Sequence, residues 1–213
     1  MIRNLKVLGL ALGAVLALGA LTASAAMAVP QFTASTYPAQ VTGSNTKGSE
    51  VFTTEAGKVE CDSHFLSTSQ AAASSTLTVA PKYSNCDAFF LSATVDTEGC
   101  TYVFHATELV SAGVYKHHVD VVCPAGQSIK IVAGGGQCNA EIKGQTGLTS
   151  VKTTNLAGGT VTVQPEVTKV AYTVTKDGFG CPFNGTGNKT DGTYTGDVVV
   201  SRVGGGSVSV SGS

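Results

Sequence analysis

Six cysteines limit what this 213-residue chain can fold into more than any other feature. They are Cys61, Cys86, Cys100, Cys123, Cys138 and Cys181. Structural zinc sites place cysteines about two to four residues apart, and thiol redox centres use Cys-x-x-Cys. The closest two cysteines here are 14 positions apart. An even number of widely spaced cysteines in an exported chain therefore predicts three disulfides.

The N-terminus predicts export. Arg3 and Lys6 precede an apolar run, Val7 to Ala23, and small residues continue from there to Ala28. Because this is the pattern of a cleavable signal peptide, we predict a signal peptide at residues 1–28 and a secreted domain at residues 29–213. The alternative is an uncleaved membrane anchor, since the apolar run is nearly as long as a minimal membrane span. After cleavage we expect no membrane span, and a secreted or cell-surface protein.

One hairpin can be derived from the parity of its residues. Apolar and polar side chains alternate in Cys100–Ala106 and again in Tyr115–Cys123. Antiparallel pairing with Cys100 opposite Cys123 aligns the two apolar faces, whereas a slip of one residue would place apolar side chains against polar ones. The agreement of the two apolar faces in this register supports a Cys100–Cys123 disulfide. The other cysteines pair most simply as Cys61–Cys86 and Cys138–Cys181, although the sequence leaves their connectivity open.

Beyond Pro30 the chain shows almost no helical periodicity. Short runs rich in Val, Thr, Ile, Tyr and Phe alternate instead with Gly, Asp and Asn. The predicted strands are Val51–Thr54, Lys58–Leu66, Thr76–Ala80, Ala88–Leu91, Cys100–Ala106, Tyr115–Cys123, Ser128–Ala133, Cys138–Lys143, Leu148–Thr153, Thr160–Gln164, Val170–Thr175, Thr193–Val203 and Ser207–Val210. Asp177-Gly178 and Asp191-Gly192 are predicted turns. The pattern indicates an all-β fold, a β-sandwich or a related antiparallel β architecture with three disulfides.

A faint internal repeat raises the alternative of two units. Ser75–Pro81 resembles Gly159–Pro165 in sequence. Two diverged β-units would then occupy about residues 29–125 and 126–213. Chance likeness between strands rich in Thr and Val explains the same observation, so both interpretations remain open.

Charge excludes some classes of partner. Charged residues make up 13% of the chain, and the formal net charge is −1. Binding to nucleic acid or to an anionic membrane requires a concentrated basic face, and we predict neither. The chain contains no Trp, which argues against the flat aromatic platforms of sugar-binding sites.

The predicted hairpin also brings two histidines together. Its register places His105 opposite His118 on the outer face, with Asp120 two residues further along that face. Cross-strand neighbours lie about 5 Å apart at Cβ, close enough for two imidazoles to share a metal ion. The alternative is a pair of solvated histidines on a polar face, because no further ligand can be named.

A second metal hypothesis concerns calcium. Oxygen-bearing side chains collect among glycines at Asp177, Asn184, Asn188, Asp191 and Asp197. Flexible loops rich in oxygen ligands can hold calcium, but the spacing fits no EF-hand loop or calcium-binding solenoid repeat. A succession of polar hairpin turns explains the same residues.

No catalytic residue can be assigned. The chain has no Gly-x-Ser-x-Gly and no His-Glu-x-x-His motif. Asp62 and His64 lie two positions apart on one predicted strand face, where the carboxylate could orient the imidazole, but no activated serine accompanies them. A secreted hydrolase with a site built from distant residues stays an alternative.

Three segments carry a resemblance: Gly99–His105, Val119–Gly126 and Asp191–Gly196. Together they are similar to a group of uncharacterised secreted, six-cysteine, β-rich proteins of high-GC bacteria, over most of the mature chain. The resemblance implies export and β-structure. It implies no activity, ligand or site residue.

The expected function is that of an exported, non-enzymatic protein, a cell-surface or extracellular binding or structural module with no cofactor. Its partner would be extracellular or on a surface, of unassigned identity, and its oligomeric state is left open. The alternatives are the secreted hydrolase and a metal- or calcium-dependent surface protein.

Overall fold

The computed structural model describes residues 29–55, 57–179, 181, 183 and 185–212, and every regular element among them is a β-strand. The predicted signal peptide lies outside the described residues. The strands are β1 Gln31–Ala34, β2 Val41–Asn45, β3 Glu50–Thr54, β4 Gly57–Ser67, β5 Thr76–Ala88, β6 Leu91–Asp96, β7 Thr101–Ser111, β8 Val114–Val122, β9 Ile129–Ala133, β10 Cys138–Ile142, β11 Gln145–Leu156, β12 Thr160–Asp177, β13 Gly187–Gly196, β14 Val198–Arg202 and β15 Val208–Ser211. In this part of the chain no helix is long and apolar enough to cross a membrane.

The main sheet consists of eight antiparallel passes of the chain, each paired with the pass before it. β2 and β3 form the first pass, β4 the second, β5 the third, β6 and β7 the fourth, β8 and β9 the fifth, β10 and β11 the sixth, β12 the seventh, and β13 and β14 the eighth. The eighth pass returns to the first, since β13 pairs with β3 and β14 pairs with β2. The 13-stranded sheet is therefore closed, and closure leaves no long edge open to other chains. The all-β, antiparallel class predicted from the sequence is confirmed.

A separate two-stranded sheet packs against one end of the closed sheet. β1 pairs with β15, with Phe32 opposite Val210, and both side chains pack on Ala106 and Tyr115. The Asn155 side chain fixes this small sheet, because its amide donates to the Val210 carbonyl at 2.7 Å and accepts from the Val210 N–H at 2.8 Å. The first and last strands of the described chain are thus hydrogen-bonded neighbours.

Three disulfides connect adjacent passes. They join Cys61 to Cys86, Cys100 to Cys123 and Cys138 to Cys181, the same pairs that the sequence favoured. The first links β4 with β5, the second closes the β7–β8 hairpin, and the third ties β10 to the segment that follows β12. Four of the six sulfur-bearing side chains are buried in the main core, where they pack as apolar groups.

The β7–β8 hairpin has the predicted register. Thr101 pairs with Val122, Phe104 with Val119 and His105 with His118. The prediction placed Cys100 opposite Cys123, and the alternation of apolar and polar residues excluded a slip of one residue, because one face of the hairpin is buried and the other is not.

The segment Ala88–Leu91 was wrongly predicted as a strand. Ala88 ends β5 and Leu91 begins β6, so Phe89 and Phe90 form a two-residue turn. Both have positive φ, 48° and 69°, a conformation that is unusual for bulky residues. Their rings are exposed, Phe90 almost completely, so the hydrophobic run that indicated a strand is instead a hairpin tip.

The predicted turn at Asp191-Gly192 was also wrong, since both residues lie inside β13. Glycine is required there by packing: a Cβ on Gly192 would lie 2.8 Å from the Phe52 ring and 2.7 Å from the Val170 carbonyl oxygen. The predicted strand Thr193–Val203 is two strands, β13 and β14, separated at Asp197. Strands β1, β2 and β6 had not been predicted.

The segments 29–125 and 126–213 share one sheet and one core. β9 pairs with β6, and β8 pairs with β11. The proposed boundary falls between β8 and β9, which belong to the same pass. The internal repeat therefore does not correspond to two separate sheets.

Candidate functional sites

The outer face of the β7–β8 hairpin carries the first candidate site. His105 and His118 are cross-strand partners, and their rings stack with centroids 4.4 Å apart and planes 12° from parallel. His105 Nε2 lies 3.0 Å from Asp120 Oδ2. One ligand atom from each of the three side chains lies within 4.8 Å of the others. The structure thus brings together the three residues predicted as metal ligands.

Asp120 is held in place from the neighbouring strand. β11 contains an irregularity between Gln145 and Leu148, and there the Gly147 N–H donates to Asp120 Oδ1 at 2.7 Å. This hydrogen bond, with a further contribution from His105, lowers the pKa of the Asp120 carboxyl. The carboxylate is therefore ionised at neutral pH, with Oδ2 directed at His105.

His117 lies on the opposite face, because consecutive strand residues point to opposite sides of a sheet. It is 2% exposed and stacks on Phe32, with ring centroids 5.3 Å apart. Its Nε2 lies 2.7 Å from the Thr153 hydroxyl. Burial, together with the neighbouring His118, lowers the pKa of His117 to about 4, so its imidazole is neutral at physiological pH. The alternation in Tyr115–Cys123 placed His117 on the apolar face of the hairpin, but it did not indicate the partner of its imidazole.

The calcium candidates are not gathered at one point. Asn184 lies outside the described residues. Asp191 accepts hydrogen bonds from the Tyr172 hydroxyl and from the Glu55 N–H, and Asp197 accepts one from Gln164. Asp177, Asn188, Asp191 and Asp197 are spread along β12, β13 and the following connection, each bonded to a different protein group. The described residues therefore do not support the calcium hypothesis.

The Asp62 carboxylate does not orient His64. Its oxygens accept hydrogen bonds from the Lys47 N–H at 2.6 Å and from the Asn85 side-chain amide at 2.5 Å. These bonds hold the pKa of Asp62 below its usual range. Asp62 thus ties the connection between β2 and β3 to β5. His64 is an exposed residue of β4.

The second candidate site is a cavity of about 170 Å³ inside the closed sheet. Inward-facing side chains from all eight passes line it, most of them Val, Ile, Leu and Phe, and Phe32, Val208 and Val210 of the small sheet complete the wall. Interiors of this kind normally contain few voids larger than a water molecule. This cavity is therefore large for a packed core.

One polar cluster interrupts the apolar lining. Tyr194 donates to Glu50 Oε2 at 2.6 Å, the hydroxyls of Tyr83 and Tyr194 lie 3.3 Å apart, and those of Tyr83 and Tyr102 lie 2.8 Å apart. The four residues come from β3, β5, β7 and β13 and form a continuous chain of hydrogen bonds. We call them the Glu50–tyrosine cluster.

Burial determines the protonation of this cluster. Glu50 is 4% exposed, and burial raises the pKa of its carboxyl against the opposing hydrogen bond from Tyr194. Burial raises the pKa of Tyr102 to about 12, and it also raises the pKa values of Tyr83 and Tyr194 well above the usual value for a phenol. The three phenols therefore remain protonated donors over the whole physiological range.

The sequence analysis missed the Glu50–tyrosine cluster. Its nearest signal was the spacing of Glu50, Phe52 and Thr54, which places all three on one face of β3. Gly196 pairs with Glu50, and a Cβ on Gly196 would lie 2.7 Å from Glu50 Cγ. Glycine at position 196 leaves the space that the Glu50 side chain occupies. This steric requirement can be recognised only when the pairing of β13 with β3 is known.

No known protein family, curated protein or solved structure matches this chain.

Proposed function

We propose that this chain is an exported, non-enzymatic binding protein whose closed sheet holds a small apolar molecule bearing one hydrogen-bonding group, such as a hydroxyl. The cavity of about 170 Å³ with the Glu50–tyrosine cluster in its wall carries this proposal. A cavity of about 150 Å³ is sufficient for a molecule of the size of benzene. The ligand is therefore of about that size.

The energetic cost of an empty cavity supports the proposal. Cavities created in protein cores cost about 24 cal/mol per Å³, so a void of about 170 Å³ corresponds to roughly 4 kcal/mol of lost stability. Small-to-large substitutions at the many valines of the wall would remove this cost. A ligand that fills the cavity restores the van der Waals contacts that its lining lacks when empty. Retention of the cavity is therefore consistent with ligand binding.

The chemistry of the cluster defines the ligand's polar end. Tyr83, Tyr102 and Tyr194 are protonated donors, and Glu50 is the acceptor at one end of the chain. A hydroxyl entering the cavity can join this chain as donor and acceptor. The phenol oxygens of the cluster keep unused acceptor positions, and one net hydrogen bond contributes about 0.5–1.5 kcal/mol, so the site favours a ligand with a hydroxyl over the corresponding hydrocarbon.

Binding of benzyl alcohol and of toluene, which differ by one hydroxyl, tests the proposal. We expect both to raise the thermal midpoint of the mature protein, and benzyl alcohol to bind more tightly by isothermal titration calorimetry. Tyr194→Phe should reduce the preference for the alcohol. Mass spectrometry of an organic extract of the exported protein should detect a small apolar compound.

Adjacent valines in β14 provide a matched control. Val198 is buried and lines the cavity, whereas Val199 is exposed on the outer face. Val198→Phe should fill the cavity and abolish binding, and Val199→Phe should leave it unchanged. Failure of both compounds to bind, or equal loss of binding in the two variants, would contradict the proposal.

A further inference from the structure

We propose that His105, His118 and Asp120 bind a divalent late transition metal ion, zinc or copper, on the outer face of the β7–β8 hairpin. This site is separate from the interior cavity and does not depend on the proposed ligand. The three side chains contribute two imidazole nitrogens and one carboxylate oxygen, all within 4.8 Å of one another.

The ligand atoms lie near one another but must move closer to bind an ion. Zinc–nitrogen and zinc–oxygen bonds measure about 2.0–2.2 Å in a tetrahedral shell, so two ligand atoms of one ion lie about 3.3–3.6 Å apart. In this structure the three ligand atoms lie within 4.8 Å of one another, so they must approach by up to about 1.5 Å. The stacked imidazoles must turn so that their lone pairs converge, and their partial exposure leaves space for that rotation: the His105 side chain is 29% exposed.

The backbone already holds the ligands in position. His105 and His118 are paired across the sheet, and the Cys100–Cys123 disulfide closes the same hairpin. The Gly147 N–H occupies Asp120 Oδ1 and leaves Oδ2 beside His105. Hydrogen bonds of this kind to a ligating carboxylate orient it and strengthen metal binding.

The ligand types select the metal. Imidazole suits zinc, copper and nickel, whereas calcium and magnesium prefer oxygen ligands alone. Among the divalent first-row ions, copper binds such sites most tightly. Two histidines and one carboxylate leave coordination positions that face the solvent, where water completes the shell.

Titration of the metal-free mature protein with zinc chloride and copper chloride tests the site, with calorimetry and thermal unfolding as readouts. We expect one ion per chain, a rise in the thermal midpoint, and no effect of calcium chloride. His105→Ala or His118→Ala should weaken binding at least tenfold, and Asp120→Asn by roughly tenfold. With copper, the electron paramagnetic resonance spectrum should show hyperfine coupling to two imidazole nitrogens, which should fall to one in His118→Ala.

His64→Ala is the matched control, because His64 is also exposed on the outer face of the sheet but lies on β4. This variant should bind the ion as the wild type does. Circular dichroism verifies that each variant remains folded. Binding no tighter in the wild type than in the His105→Ala/His118→Ala double variant would overturn the proposal, as would binding that depends on His64.

Discussion

The neutral, buried His117 makes the stability of the fold sensitive to mild acid. Its pKa is about 4 in the folded protein, against about 6.5 for an unperturbed histidine. Because the pKa of His117 is lower in the folded protein than in the unfolded chain, protonation favours the unfolded chain. The free energy of unfolding is therefore highest above about pH 6.5 and decreases progressively as the pH falls towards 4. Linkage between the two states gives a loss of about 2 kcal/mol between pH 7.5 and pH 5.

A substitution that removes the titratable group should remove this dependence. His117→Gln retains a side chain able to hydrogen-bond Thr153, whose hydroxyl lies 2.7 Å from His117 Nε2, but it cannot take up a proton. The matched variant His64→Gln removes an exposed histidine from β4. Wild type and His64→Gln should both lose about 2 kcal/mol more than His117→Gln on going from pH 7.5 to pH 5.

Urea unfolding followed by circular dichroism, at matched ionic strength and with disulfides intact, measures this difference. Other groups titrate in the same range, since the raised pKa of Glu50 acts in the opposite direction, but they are common to all three proteins and cancel in the comparison. An equal pH dependence in His117→Gln and in the wild type would refute the reasoning. It would mean that His117 takes up its proton in the folded state as readily as in water.

Three further substitutions test a disulfide, a turn and a buried carboxyl group. Replacing both Cys100 and Cys123 by Ala opens a loop with a sequence separation of 23 and should lower the free energy of unfolding by about 3 kcal/mol, measured with urea. Replacing Phe89-Phe90 by Asn-Gly should raise the free energy of unfolding by about 1–2 kcal/mol and should also raise the thermal midpoint. The reason is that Asn and Gly tolerate the positive φ of both turn residues. The folded-state pKa of Glu50 is raised. The stability that its protonated carboxyl group contributes to the fold is therefore lost as the pH rises through that pKa. Glu50→Gln should therefore gain stability relative to the wild type at pH 8 and not at pH 4, as read from thermal unfolding at the two pH values.

The sequence was sufficient for the β7–β8 hairpin, where long alternating strands are flanked by two cysteines that can face each other. The register with Cys100 opposite Cys123 placed His105 beside His118, as observed. Local patterns failed where tertiary packing decides the conformation. Gly192 signalled a turn because of its backbone freedom, yet it lies in a strand because the Phe52 ring occupies the space of a side chain.

The interior site was inaccessible to sequence reasoning for a related reason. Glu50, Tyr83, Tyr102 and Tyr194 lie far apart in the chain, and no local pattern connects them. They meet because the eighth pass pairs with the first. That closure is a property of the whole sheet, so the cavity and its polar cluster could be identified only from the three-dimensional structure.

The pairing of both chain ends determines when the fold can be completed. β1 forms its two-stranded sheet with β15, apart from one bridge between Phe32 and Ser74. β2 and β3 are paired on one side with β14 and β13. The sheet therefore cannot close until strands from distant parts of the chain have met, and such non-local pairing is slow. Until β13 and β14 pair with β3 and β2, these strands leave an edge of unpaired backbone groups, which favours association with other chains.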